Sequence, residues 1–147
     1  QDSSEAVVQA AVRAIGAAGR MEDVRPVRQL LTAANEPLRL EAAKALVRLG
    51  DASGAPALER LAYSSEPAIR QQAAVAMGET ADPTFVPSLV YLLDDRHNVR
   101  RAALEALPKV VGRDVAGAGG RPPADLAERA ELWKRWFREE RAVGGKQ

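Results

Sequence analysis

The stretch Pro37–Asp51, PLRLEAAKALVRLGD, decides the fold. It sets Ala42, Ala43 and Ala45 ahead of Leu46 and closes on Gly50 and Asp51. The same design recurs on both sides: Pro67–Asp82 reads PAIRQQAAVAMGETAD, Asn98–Arg113 reads NVRRAALEALPKVVGR, and Glu5–Arg20 reads EAVVQAAVRAIGAAGR. The large apolar residue that ends each alanine run is Ile15, Leu46, Met77 and Leu107, at separations of 31, 31 and 30. A second series keeps the same phase. Pro26, Pro56 and Pro87 stand 30 and 31 apart, and Leu31, Leu61 and Leu92 each follow five residues later. Two residue types in one register define an internal repeat.

Each period holds two helical patterns. The first starts near the proline, over 24–34, 55–63 and 85–93, because proline is tolerated in a first turn whose N–H groups have no partner. Glu36-Pro37 and Glu66-Pro67 then break the chain. The second helix carries alanines at 42, 43 and 45, at 73, 74 and 76, and at 103 and 106. Small side chains there let neighbouring helix axes approach near the short end of the roughly 8–10 Å range. Gly50 with Asp51, and Asp82 with Pro83, are expected to end the second helices. Pro108 is expected to kink or shorten the third.

The pairs Leu38-Arg39, Ile69-Arg70 and Val99-Arg100, each followed by its alanine run, resemble the HEAT repeat in its phycobilisome-lyase-like variety. The resemblance covers about residues 5–113. It implies an all-α, right-handed α-solenoid of about three and a half helical hairpins, the same stack of hairpins that the periodicity gives unaided. Residues 1–22 then form an N-terminal half-repeat with one helix and 23–114 hold three repeats. Residues 115–123 are a Gly/Pro loop, and 124–147 a Trp-rich capping helix and tail. In the half-repeat Val7, Val8, Ala11 and Ile15 are expected to cover one neighbour. In the last helix, about Ala124 to Ala142, Leu126, Ala130, Trp133 and Phe137 are spaced as one face. Val143–Gln147 reads as a frayed tail.

The 147 residues are the size of one ordinary domain, long enough to bury about 70% of the unfolded surface without staples. The absence of cysteine removes thiol catalysis, disulfides and cysteine-ligated zinc. His97 is the single histidine, and 21 basic against 20 acidic residues give no electrostatic argument for nucleic acid or an anionic membrane. No apolar run is long enough to span a bilayer. Composition fits either the cytosol or an exported compartment. The opening Gln1 points to leader removal or to an origin inside a longer protein.

Few residues carry chemistry. Asp94, Asp95 and His97 sit in a turn and read as a helix boundary, with Asn98 as N-cap, rather than as a metal site. Phosphate loops, nucleophile elbows and HExxH are all lacking, so neither a catalytic residue nor a metal ligand nor a cofactor is expected. Arg39, Arg70 and Arg100 recur with Asp51 and Asp82 twelve residues after the first two. The resemblance implies that such arginines and aspartates hydrogen-bond between adjacent repeats, and Arg100 is left to be freer or to use Asp114. Trp133, Trp136 and Phe137 read as a cap over the last repeat.

The second helices normally line the concave face of such a stack. Arg13, Glu41, Lys44, Arg48, Gln72, Glu79, Arg101, Glu105 and Lys109 are expected to be exposed there, mixed in sign. This favours a non-catalytic scaffold that binds a protein partner. The alternatives are a bilin-lyase-like enzyme subunit and a HEAT-type nucleic-acid-binding protein, the latter opposed by balanced charge and few aromatics. Self-association, or docking to an upstream segment through residues 5–18, is a further expectation.

Overall fold

The computed structural model of the protein describes residues 3–18 and 24–145, without the side chains at 3–5, 7 and 15–18. Among the described residues the chain is all α-helix, short 3-10 turns and loops. Its helices are α1 (Ser3–Ala18), α2 (Val24–Gln29), α3 (Glu36–Arg48), α4 (Gly54–Leu61), α5 (Pro67–Thr80), α6 (Val86–Tyr91), α7 (His97–Val111) and α8 (Leu126–Gly144). Residues 1–69 and 70–147 make two compact units, and the division falls inside α5.

In the first unit, α3 is the central helix, packed against α1, α2 and α4. Asn35 starts it by accepting a hydrogen bond from the Leu38 amide at 2.9 Å, which satisfies one of the orphan N–H groups of the first turn. Its alanines Ala42 and Ala45 lie in a core with Val12, Val24, Val27, Leu46 and Leu49, and Val8, Leu30 and Leu31 pack around it. Helix α1 therefore packs on this core through Val8 and Val12. Ala11, expected on that face, is exposed, and the side chains of Val7 and Ile15 lie outside the described residues. The α3–α4 approach is close enough to demand glycine. A Cβ on Gly54 would fall 2.6 Å from the Val47 amide nitrogen.

In the second unit, α7 packs against α6 and α8, with α8 also touching α6 and the turn 92–94. Helices α5 and α7 meet where a Cβ on Gly78 would fall 2.8 Å from the Ala106 Cβ. Trp133, 1% exposed, is the bulk of the α8 contribution to this core. It makes an edge-on contact with Trp136, their ring centroids 5.5 Å apart. Phe137 is half-buried, with the Arg141 guanidinium 5.6 Å above its ring.

Several boundaries differ from the sequence reading. The first helices of the first and third repeats are broken: α2 and α6 give way to 3-10 turns at Leu30–Thr32 and Leu92–Asp94. Pro108 does not shorten α7, which runs to Val111 and ends on Gly112 in the left-handed region, φ 84°. A proline near a C-terminus removes one backbone bond, and the Gly112 amide closes the last turn onto the Pro108 carbonyl at 2.8 Å. Asn98 lies inside α7, whose N-cap position is Arg96. Val143 and Gly144, expected in a frayed tail, belong to α8, and residues 146–147 of that expected tail lie outside the described residues.

Candidate functional site

The arginine and aspartate series is built differently from the expected ladder. Asp51 pairs with Arg28 of α2, whose Nε lies 3.1 Å from both carboxylate oxygens, and not with Arg39. It also accepts from the Ser53 amide and hydroxyl, so it shapes the turn into α4. With its side chain 3% exposed and these donors around it, chiefly Arg28 and then Ser53, its pKa is held well below the ordinary carboxylate range. Asp82 likewise receives no arginine in this arrangement; it accepts from the Thr84 amide at 2.9 Å and starts the 3-10 turn Pro83–Phe85. Arg100 turns back onto the Leu93 carbonyl at 2.8 Å, while Asp114 accepts from the Ala116 amide.

A different series does bridge repeats. Arg70 of α5 forks onto Asp95 in the turn before α7, Nε at 2.7 Å and Nη2 at 2.8 Å, and this lowers the Asp95 pKa. The position 25 residues after Arg39 is Ser64, which is not an anion. There Glu36 intervenes, accepting from the Ser64 hydroxyl and from Arg39, which also donates to the Ala33 and Ala34 carbonyls. One turn thus serves two neighbours, because Asp94 accepts from Lys134 of α8 at 2.8 Å and raises the lysine pKa. His97, the remaining member of that turn, sits 2.8 Å from Arg101. Sequence spacing missed Arg28, Asp95 and Lys134, since a partner 23 to 40 residues away follows from hairpin geometry and not from local pattern.

The expected partner-binding residues fall into two sets. In the first unit Arg13 and Arg48 are exposed, whereas Glu41 and Lys44 are half-buried. Glu41 is shared by Arg13 at 3.4 Å and Lys44 at 3.5 Å, so three of these charges are spent on one another. In the second unit Gln72 and Glu79 of α5 and Arg101, Glu105 and Lys109 of α7 are all exposed. Spacings of seven residues on α5 and four on α7 put each set along one side of its helix, and the Gly78–Ala106 approach brings the two helices together. Val75 stands between Gln72 and Glu79 and is 46% exposed, an apolar residue in a charged stripe that sequence reading passed over. Its position, three after Gln72 and four before Glu79, was the available signal.

Among the described residues no cluster of three or more histidine or acidic side chains is placed to hold a metal, and no helix is long and apolar enough to cross a membrane. No curated protein matches the chain significantly. A family model described as HEAT repeats matches residues 1–75 and 55–116. With the alanine-lined hairpins seen in both units, that match over most of the sequence makes the chain a member of the HEAT-repeat family.

Proposed function

We propose that the protein is a non-catalytic interaction module, of the phycobilisome-lyase-like HEAT variety, that binds a protein partner through its second helices. The carrying observation is the exposed side of α5, where Val75 stands between Gln72 and Glu79, together with exposed Arg101, Glu105 and Lys109 on the neighbouring α7. Mixed charge around a small apolar centre suits protein recognition, in which polar rims set specificity and desolvated apolar contacts supply affinity. Nucleic acid asks for an excess of basic residues, which this surface does not have. The comparable residues of the first unit, Arg13, Glu41, Lys44 and Arg48, form a second and more self-compensated patch.

The test is to identify a protein retained by the immobilised chain and to map it by cross-linking to α5 and α7. Arg101→Glu combined with Lys109→Glu is expected to weaken retention at least about ten-fold, the scale of charge reversal at an interface. Arg138→Glu on α8 is expected to leave it unchanged. A saturable absorbance change on titration with a tetrapyrrole would instead favour a bilin-lyase-like subunit. Tight, salt-sensitive binding of labelled DNA would favour the nucleic-acid reading.

A further inference from the structure

A cleft of about 220 Å³ opens in the first unit, lined by Leu31, Glu36, Arg39, Ala57, Arg60 and Leu61. It lies between the first helices and the start of α3, and its lining includes none of Arg13, Glu41, Lys44 and Arg48. Its volume is below the roughly 300–1,000 Å³ of small-molecule sites and closer to the size of a single inserted side chain. Leu31, Ala57 and Leu61 supply the apolar lining and the three charged residues the polar part.

These charges are not equally available. Glu36 is engaged by Arg39 and by the Ser64 hydroxyl, and Arg39 is further held by two backbone carbonyls. Arg60 is exposed, and its guanidinium makes no hydrogen bond or ion pair to any described residue. Nearby, α2 (VRPVRQ) contributes exposed Arg25 and no acid, and α4 (GAPALERL) carries one glutamate, Glu59, which does not line the cleft. The cleft therefore presents a hole of mixed polar and apolar lining beside one uncompensated cation.

We propose that this cleft docks an acidic peptide segment of a partner, one apolar side chain entering against Leu31, Ala57 and Leu61 while a neighbouring carboxylate pairs with Arg60. An arginine fork matches a carboxylate in two parallel bonds, and the apolar insertion fixes the register.

The probe is a short fluorescein-labelled peptide of aspartates and glutamates around one central leucine, titrated with the full chain and followed by anisotropy. Saturable binding is expected, weakening as salt rises. Arg60→Glu is expected to weaken it at least about ten-fold with an unchanged circular dichroism spectrum, Arg60→Gln less, and Arg138→Glu not at all. Replacing the peptide leucine with serine is expected to weaken binding about ten-fold, the scale of one buried aliphatic side chain. Failure to saturate, equal loss with Arg138→Glu, indifference to the leucine, or tighter binding of DNA than of the peptide would each overturn the proposal. Should Arg60→Glu perturb the spectrum, Arg60→Gln decides: no loss of affinity with that variant overturns the proposal as well.

Discussion

Ala81 holds φ at 53°, where Gly50 and Gly112 hold 74° and 84°. The three positions are 31 residues apart and are the same point of the repeat, the left-handed residue that lets the chain leave the second helix. An L-residue there costs about 1–2 kcal/mol, partly offset by the extra unfolded-state freedom of glycine. Ala81→Gly is therefore expected to stabilise the chain by about 0.5–1 kcal/mol, raising the thermal midpoint by about 2 °C in calorimetry. Asp51 gives a second prediction. Its folded pKa is depressed, chiefly by Arg28, so the stabilisation is present above about pH 4, where the unfolded carboxyl is also ionised. It is lost as pH falls from there toward the folded value. Asp51→Asn is expected to lower stability by about 1–2 kcal/mol at pH 7, because charged hydrogen bonds to a buried carboxylate are lost. In denaturant titrations the gap to the unsubstituted chain should narrow steadily below pH 4; a constant gap would place the effect elsewhere.

At the scale of elements, the second helices were legible because their alanines are buried at one register. Ala42, Ala73 and Ala103 are each 0% exposed, and Ala45, Ala76 and Ala106 lie between 1% and 6%. The first helices were legible in position but not in form. Their prolines set the starts, whereas the 3-10 ends of two of them are fixed by packing that local sequence does not encode. Close approach was readable only in part. Gly54 gave no periodic signal, yet its missing Cβ is what lets α4 meet α3. Gly54→Ala is expected to cost about 1–3 kcal/mol, because the added carbon meets backbone rather than a movable side chain. A loss smaller than a few tenths in a chemical denaturation curve would show that α4 can shift. The aromatic spacing predicts a helix over about Ala124 to Ala142, and α8 runs Leu126–Gly144. Trp133→Ala is expected to cost about 3–5 kcal/mol, and since Trp136 is the only other tryptophan, its emission should shift to the red as the cap loosens.

For the whole molecule, what sequence could not supply was which charges are spent and which are left over. The repeat period placed Arg13, Glu41 and Lys44 on the second helices, but only the packing of α1 against α3 shows that Glu41 ties the other two together. The same applies to Arg70, whose partner Asp95 comes from the next hairpin and whose counterpart Arg39 meets a glutamate and carbonyls because position 64 is serine. A repeat chain depends on neighbour contacts, so its last hairpin depends on what closes it. Here α8 covers α6, α7 and the turn 92–94, fastened by Trp133 in the core and by Lys134 on Asp94. The lysine pKa is raised, so this fastening is present below about pH 10 and is lost as pH rises through the folded value. A chain ended at residue 114 keeps the repeats and loses the cap. It is expected to associate in light scattering and to bind a hydrophobic dye, because an apolar hairpin face is then open to water. A monodisperse truncated chain with the full-length thermal midpoint would show that the repeats close on themselves and that α8 serves another purpose.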